Sequence, residues 1–352
     1  MNFPKSAIAI VTAQFVVTAS VSGAEDCGIP GKITVKNSEG KKVKASTREF
    51  ADGSIAVRAR LAVNPDGGPA SYTVGDHGFT YLHNGMSRWN GNQTQSCDAT
   101  CAEEFAQAAK ADFGPGTPMF CVFGMEVEAL TPEQSPKSCQ TGYLAGNGIG
   151  RPTMGALLET VMGEKIQAYF SATSLRHMVD GKARYLDAEL LPVAVTPTKD
   201  LLGKVVWIGG AGYKPTWAVL GDSGPAFGEG SIALHQLLRY GKVSPQKPGP
   251  IPVAKRCGPE ELNLKAPFVS KPDIKTDRCR QGHVASSGSD IRAYTGINQM
   301  LDFVILGKDL LAKKGGVIQS QVTQEALQAA ASPYSAQRIQ QMLSCLPKEP
   351  MN

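Results

Sequence analysis

The sequence predicts a mainly β protein of the α+β class. Its 38 glycines and 23 prolines indicate many turns, which suits a β-rich domain better than a helical bundle. With 42% hydrophobic and 19% charged residues, the 352-residue chain can bury a sizeable core and lacks the composition of a disordered protein. Short apolar or alternating runs separated by turn residues recur through residues 25–240, as expected for strands.

The first residues have the pattern of an export signal. Lys5 provides a positive charge, 7–21 is apolar apart from single polar residues, and Ser22-Gly23-Ala24 supplies the small residues that a signal peptidase recognises. We therefore expect residues 1–24 to be a signal peptide and the mature protein to be secreted or periplasmic. A membrane-anchored start is the alternative. No later run of eighteen apolar residues occurs, so no transmembrane segment is expected in the mature chain.

The cysteines predict disulfide bonds. An even number in an exported chain favours disulfides, although the sequence leaves the pairing open. Cys97 and Cys101 are spaced like half of a zinc site, but no matching Cys or His pair follows at metal-ligand spacing, so no metal or cofactor is predicted. All eight cysteines follow the signal: they are Cys27, Cys97, Cys101, Cys121, Cys139, Cys257, Cys279 and Cys345.

Apolar runs, turn residues and caps predict the order of elements in residues 25–241. Asp66-Gly67-Gly68-Pro69 is a strong turn signal, and Thr100-Cys101-Ala102-Glu103 is a capping box that predicts a helix to about Asp112. A helix over 231–240 is predicted by its apolar periodicity and ends at Gly241. The other predicted elements are strands over 33–35, 54–62, 119–130, 168–173, 190–195, 205–209 and 215–220, and a helix over 153–163.

A proline-rich segment, 242–256, predicts a linker or an extended strap between the main domain and the rest of the chain. We expect 257–352 to form a basic, partly helical C-terminal extension, with helices over 290–314 and 321–346. From Gly241 to the end, the chain has 15 Lys+Arg against 9 Asp+Glu. This surplus is a candidate contact for an anionic cell-wall surface, and a merely solvated basic face is the other interpretation. Basic and aromatic residues do not interleave, so nucleic acid is not an expected partner.

Two readings apply to the stretch GDSGPAFGEGS, residues 221–231. Gly221-Asp222-Ser223-Gly224 is similar to the nucleophile loop of trypsin-like proteases, which makes Ser223 a candidate nucleophile. However, the second glycine before the proline is missing, and neither His77 nor His83 has the flanks of that family's catalytic histidine. The G-x-S-x-G elbow of α/β hydrolases is absent as well. A serine hydrolase is therefore the weaker interpretation.

The stronger reading rests on two carboxylates, Asp222 and Glu229. Glycoside hydrolysis needs one carboxyl that protonates the leaving oxygen and one carboxylate that activates water or attacks the sugar. Asp222 ends an apolar strand, and Glu229 follows a glycine-rich loop just before a helix, so each has a fixed support. From these residues alone, a structural interpretation stands equally: Asp222 braces its loop and Glu229 caps the helix.

Four blocks in the same order, within about residues 52–240, decide between these readings. The longest is WAVLGDSGPAFGEGSIALHQLL, residues 217–238, and the others are YFSATSL at 169–175, RYLDAELLP at 184–192, and a set within 66–84. That set contains Asp66-Gly67, Pro69, Tyr72, Gly78, Tyr81-Leu82 and Asn84. In these blocks the chain resembles the fungal-type chitosanases of glycoside hydrolase family 75, as a divergent member.

The resemblance implies inverting cleavage of β-1,4 linkages in an amino-sugar polymer, without metal or cofactor. The family's catalytic aspartate and glutamate fall on Asp222 and Glu229; Glu229 is favoured as the acid and Asp222 as the base, and the reverse assignment stays open. The implied fold is centred on a β-barrel, possibly of double-psi type, with peripheral helices. The aromatic and polar side chains of these blocks are candidate substrate-binding residues: Asp66, Tyr81, Tyr169, Thr173, Ser174 and Asp187. Trp89 is a further candidate platform for a sugar, whereas Trp207 and Trp217 are expected in the core.

Two departures from the family bear on the substrate. Ala62 and Asn64 stand where the family usually has acidic residues, and the loop between Asp222 and Glu229 is shorter. Acidic groups would suit cationic chitosan, so their loss makes peptidoglycan, which also carries β-1,4-linked N-acetylglucosamine, a second candidate polymer. The same departures motivate an alternative function, a carbohydrate- or cell-wall-binding protein with little or no turnover.

Overall fold

The computed structural model describes residues 27–36, 41–74, 80, 82–97, 99–159, 165–243 and 297–347. The expected signal peptide, most of the proline-rich segment, Tyr81, Cys257 and Cys279 lie outside these ranges.

Strands dominate the described residues, and most of them are short. In chain order they are β1 (Ile29–Pro30), β2 (Thr34–Lys36), β3 (Lys42–Lys44), β4 (Thr47–Glu49), β5 (Ile55–Val63), β6 (Tyr72–Thr73), β7 (Met86–Trp89), β8 (Thr94–Gln95), β9 (Phe120–Val122), β10 (Val127–Ala129), β11 (Ser138–Cys139), β12 (Gly142–Ala145), β13 (Gly150–Pro152), β14 (Met154–Glu159), β15 (Lys165–Tyr169), β16 (Arg176–Val179), β17 (Lys182–Tyr185), β18 (Val193–Thr196), β19 (Val205–Gly209), β20 (Thr216–Ser223), β21 (Glu229–Gly230), β22 (Ile297–Ile305), β23 (Lys313–Lys314) and β24 (Val317–Ile318).

Helices occupy less of the described chain. The α-helices are α1 (Ala99–Lys110), α2 (Ile232–Tyr240), α3 (Gln324–Ala331) and α4 (Ala336–Ser344), and two 3₁₀ turns cover Leu82–Gly85 and Lys199–Leu201. The predicted mainly β composition is therefore confirmed.

A closed barrel of six strands forms the centre of the fold. Its strands follow the order β5-β21-β18-β20-β19-β22, and β22 pairs with β5 to close the ring. The β5–β21 and β18–β20 pairs are parallel and the other four are antiparallel. Closure removes the sheet edges and lets apolar side chains fill the interior. That interior includes Val57, Leu61, Val206, Ile208, Leu220, Leu301 and Phe303.

Several elements form where the sequence predicts them. The strand over 205–209 is β19, and the helix predicted over 231–240 is α2. The Ser231 hydroxyl accepts a hydrogen bond from the Leu234 amide at the start of α2, and Gly241 ends the helix in the left-handed region with φ 74°. Since the helix follows Glu229 directly, its cap also fixes the chain around that residue.

The helix predicted over 290–314 is wrong in its described part, which contains the strand β22. This strand pairs with β5 on one side and β19 on the other, so both of its edges lie inside the barrel. Leu301, Phe303 and Ile305 point into the core, and this burial overrides the helical spacing of the sequence. The expected C-terminal extension therefore contributes a strand to the barrel, so residues 297–347 are not separated from the main domain.

The helix predicted over 153–163 is also wrong, because residues 154–159 form the strand β14. This strand pairs with β15, which in turn pairs with β6. The backbone of Gly155 lies against Pro69, whose carbonyl accepts a hydrogen bond from Ala156 N at 3.0 Å. A Cβ atom at position 155 would lie 2.4 Å from that carbonyl oxygen. Glycine therefore permits the two backbones to approach closely, in place of the predicted helix.

The last two helices pack against the strands of the barrel. The predicted helix over 321–346 forms as two helices, α3 and α4, because Pro333 interrupts the run. Leu327 and Met342 from these helices join a core with the barrel residues Val205 and Val219.

The predicted disulfides are confirmed for three cysteine pairs, Cys27–Cys345, Cys97–Cys101 and Cys121–Cys139. The first joins the start of the described chain to the end of α4 across 318 residues of sequence. It therefore binds the C-terminal helices covalently to the same body as the barrel. Within the described residues, no helix is both long and apolar enough to cross a membrane.

Candidate active site

An open groove of about 1010 Å³ lies at one edge of the barrel. The carboxyl ends of β5, β18 and β20 meet there with the amino end of β21. Acidic, amide, hydroxyl and aromatic side chains line it together with three lysines. The lining residues used below are Lys36, Lys42, Asn64, Asp66, Phe123, Thr173, Ser174, Lys199, Asp222, Ser223 and Glu229.

Asp222 is held rigidly at the end of β20. Its side chain is only 8% exposed. Its Oδ1 accepts hydrogen bonds from the Ser174 amide at 2.9 Å, the Ser174 hydroxyl at 2.8 Å and the Ser223 amide at 2.9 Å. Three donors on one oxygen stabilise an ionised carboxylate and leave the other oxygen, Oδ2, facing Asn64.

Glu229 begins β21, on the far side of β18 from Asp222. The backbones of strands β20 and β21 are therefore about 10 Å apart, or two strand spacings. The chain reaches Glu229 through Gly228, which has φ 106°, and a side chain at 228 would meet the Arg60 carbonyl at 2.5 Å. Glu229 pairs with Ala62 in β5, and its side chain is half-buried.

Asp66 brings a third carboxylate to the groove. The predicted turn holds it: the Asp66 amide donates to Asn64 Oδ1 at 2.7 Å, and Gly67 packs against the Leu186 carbonyl with φ 90°. Asp66 Oδ1 accepts a hydrogen bond of 2.9 Å from the hydroxyl of Tyr72, a residue only 3% exposed. The sequence placed Asp66 among the substrate-binding residues; the structure places it beside the two catalytic candidates.

Asn64 lies among the three carboxylates. Its side-chain amide lies 3.4 Å from Asp222 Oδ2 and its Oδ1 accepts from the Asp66 backbone, while its proximity lowers the pKa of Glu229. A neutral amide thus lies against Asp222 and the Asp66 backbone, at a position where the family that the chain resembles usually has an acid.

Burial raises the pKa of all three carboxyls above the usual range. For Asp222, burial is opposed by the hydrogen bonds from Ser174 and Ser223. For Glu229, burial and then the charge of Asp222 raise the pKa, while Asn64 lowers it. For Asp66, burial and the charge of Asp222 raise the pKa strongly, against the hydrogen bond from Tyr72. Among the three, Asp222 has the most hydrogen bonds that favour its ionised form.

The two hydroxyl residues of the YFSATSL block differ in what they can do. Ser174 lies in the groove and donates to Asp222. Thr173 also lines the groove, but its hydroxyl donates to the Leu175 carbonyl at 2.6 Å and accepts from the Leu186 amide at 3.1 Å. The Thr173 hydroxyl therefore already has backbone partners both as donor and as acceptor, and it stabilises the chain beneath the site.

Two of the predicted substrate-binding residues lie away from this groove. Tyr169 is 6% exposed and packs edge-on against Phe105 in the core beneath α1, where burial raises the pKa of its hydroxyl to about 12. The structure therefore places Tyr169 in the core and not on the groove surface. Asp187 lines a second, smaller groove of about 620 Å³, and its carboxylate accepts from the Glu189 amide. Tyr81 lies outside the described residues.

The groove also has an aromatic residue, Phe123, that is not among the residues predicted from the sequence. Phe123 follows β9 directly, lines the groove and is 46% exposed. Its exposure contrasts with the buried run of Phe120–Val122 that precedes it. The expected platform Trp89 instead packs beside the Cys121–Cys139 disulfide, and Trp207 and Trp217 pack against the core as predicted. The sequence feature that indicates an exposed position for Phe123 is its place at the end of an apolar run, directly before Gly124.

Among the described residues, Ser223 has no histidine partner of the kind that a serine nucleophile needs. Its hydroxyl lies 2.7 Å from the Ser174 hydroxyl. Of the histidines within the described ranges, His177 accepts from the Val322 amide and His235 contacts the Ala62 carbonyl, and none of the described histidines lines the groove. In the part of the chain that the structure describes, no three His, Cys, Asp or Glu side chains are arranged to hold a metal ion.

No protein-family model matches the chain, and no curated protein matches it. The family resemblance therefore rests on the four sequence blocks alone.

Proposed function

We propose that the protein is a secreted glycoside hydrolase that cleaves β-1,4 linkages in an amino-sugar polymer. The observation that carries the proposal is the shared groove of Asp222 and Glu229, whose strands lie on either side of β18. Two carboxyls with different surroundings, on an open groove, are what acid and base catalysis of glycoside cleavage requires. The three disulfides suit an exported protein.

The surroundings of the two carboxyls favour different roles. Asp222, with three hydrogen-bond donors on Oδ1, suits the base, which takes a proton from the attacking water. Glu229, whose pKa is raised by burial and by Asp222, suits the acid, which gives its proton to the glycosidic oxygen as the bond to the anomeric carbon breaks. The water oxygen then bonds to the anomeric carbon from the opposite face, which inverts its configuration.

The third carboxyl and the aromatic residue have supporting parts in this proposal. Asp66, whose pKa is raised strongly by burial and by the charge of Asp222, can in its protonated form donate a hydrogen bond to a sugar hydroxyl. Phe123 offers an exposed ring on which one sugar face can stack. The arrangement of parallel pairs in the barrel is compatible with the double-psi type implied by the family resemblance, which we retain as part of the proposal.

The separation of the two carboxyls makes the stereochemistry informative. Inverting enzymes hold them about 6.5–9.5 Å apart and retaining enzymes about 5–5.5 Å apart. The two carboxyls stand on strands that β18 separates, and the family resemblance implies the inverting case. We therefore expect the first product to have inverted configuration, which proton NMR of fresh reaction mixtures measures.

Product analysis against three polymers tests the proposal. The mature protein is incubated with chitosan, chitin oligosaccharides and purified peptidoglycan, and new reducing ends are counted. Asp222→Asn and Glu229→Gln should each abolish release. Matched changes at exposed positions outside the groove, Asp180→Asn and Glu103→Gln, should leave release unchanged.

Two outcomes would overturn the proposal. Full activity in both groove variants would remove the catalytic role of the pair. Binding of these sugars without any new reducing ends, over long incubation with the native protein, would instead favour the carbohydrate-binding alternative.

A further inference from the structure

The charged residues of the groove separate into a buried floor and an exposed rim. The acidic members, Asp66, Asp222 and Glu229, are buried or half-buried. The basic members, Lys36, Lys42 and Lys199, are all exposed. Within the described lining, every exposed charged residue is therefore a lysine. Because burial raises the pKa of the floor carboxyls, a polymer that approaches the groove meets positive charge first.

Two of these lysines face each other across a hairpin at the groove. Lys36 in β2 and Lys42 in β3 are direct cross-strand partners. Like charges directly opposite one another destabilise a sheet. The hairpin is nevertheless attached to the active-site loop, since the Lys36 amide donates to the Pro225 carbonyl at 2.8 Å. Pro225 lies between Asp222 and Glu229 in the chain, so the paired charges are fixed next to the catalytic candidates.

Lys199 brings a third positive charge from a separate part of the chain. It begins the 3₁₀ turn that follows β18, the strand between the two catalytic candidates. None of the three lysines forms an ion pair within 4.0 Å among the described residues. Lysine side chains that are not paired with acids are free to bind carboxylates of a ligand.

We propose that the groove selects an anionic glycan, whose carboxylate substituents bind Lys36, Lys42 and Lys199. This inference rests on the proposed function and names the substrate class of the same site. A β-1,4 glycan whose sugars carry ether-linked carboxylates, as the muramic acid of peptide-free peptidoglycan strands does, has this chemistry. Chitosan, a polycation, would bring like charges against the rim, so it is the disfavoured polymer.

Binding to matched strands tests the charge selection. The full mature chain with Asp222→Asn, which should not cut its ligand, is titrated calorimetrically at low salt with three probes. These are peptide-free peptidoglycan glycan strands, the same strands with carboxyls converted to amides, and chitosan oligosaccharides. The charge variant replaces Lys36, Lys42 and Lys199 with Gln. The control replaces Lys110, Lys182 and Lys308, which are exposed and outside the groove, and so loses the same net charge.

The expected result is roughly tenfold tighter binding of carboxylate strands than of amidated strands, from three exposed ion pairs of modest strength. The rim variant should lose this preference, and the control should keep it. Equal affinity for both strands, tighter binding of chitosan, or a rim variant that matches the control would overturn the inference.

Cleavage by the native chain, measured separately, distinguishes the two proposals. Lysine-dependent binding of carboxylate strands without cleavage would reject the hydrolase and support the charge selection. Preferential cleavage of chitosan would support the hydrolase and reject the charge selection.

Discussion

Replacing Ser174 with Ala should move the acidic limb of the pH–rate profile to higher pH. The Ser174 hydroxyl donates to Asp222 Oδ1 at 2.8 Å, in a site where Asp222 is 8% exposed. Burial raises the pKa of Asp222, and this hydrogen bond opposes the rise. Without the hydroxyl, the ionised form is less stable, the pKa of Asp222 increases, and the base is protonated at a higher pH.

The size of the effect follows from the contacts that remain. A hydrogen bond to a charged group contributes about 1.5–3 kcal/mol. Two backbone donors, the amides of Ser174 and Ser223, stay on Oδ1 in the variant, so the lower end of that range applies. A loss of about 1.5 kcal/mol displaces the acidic limb by about one pH unit. The limb governed by the acid should move less, so the active range narrows from its acidic side.

The assay is kcat/KM against pH, which reports the ionisations of the free enzyme. Ser223→Ala is the matched control, because the Ser223 hydroxyl contacts the Ser174 hydroxyl at 2.7 Å and only its backbone amide reaches Asp222. It should shift the limb less than Ser174→Ala does. An unchanged limb in Ser174→Ala, a shift to lower pH, or equal shifts in both variants would contradict the role of Asp222 as the base.

Three further predictions concern the rest of the site and the fold. Phe123→Ala should raise KM roughly five- to tenfold with little change in thermal stability, because the ring is exposed. Tyr143→Ala, which removes an exposed aromatic ring outside the groove, should leave KM unchanged, and equal effects on KM would count against stacking. Tyr72→Phe should lower the free energy of unfolding by about 1–2 kcal/mol in urea titrations, since Asp66 loses a buried donor, and an unchanged midpoint would contradict this. Removal of the Cys27–Cys345 disulfide with paired Ser substitutions should lower the free energy of unfolding by about 2–5 kcal/mol. Removal of Cys97–Cys101, which closes a far shorter loop, should lower it less, and the reverse order would contradict the expected effect of loop length.

The sequence predicts those parts of the fold that local patterns control. The strands β19 and β20 are apolar runs between turns, and α2 has a serine cap and a glycine end. The strand β22 could not be recognised in this way. Its residues also fit a helical spacing, and only pairing with β5 and β19, far away in the chain, decides in favour of a strand.

The site shows the same division between local pattern and tertiary contact. The sequence blocks name Asp66, Ser174, Asp222 and Glu229, and the structure brings all four to one groove; their catalytic and binding roles stay predictions. Block membership does not distinguish a residue that faces the groove from one that supports it. Tyr169, in the same block as Ser174, packs in the core against Phe105 of α1. The exposure of Phe123 depends on where β9 ends.

The most direct test of the two-carboxylate proposal compares kcat on the preferred polymer for four proteins: the native chain, Asp222→Asn, Glu229→Gln and the double variant. If the pair acts as one unit, each single change should lower kcat by about a thousandfold, and the double change should lower it little further. Single variants that keep native kcat, or a double variant whose loss is the product of the two single losses, would contradict a joint catalytic role.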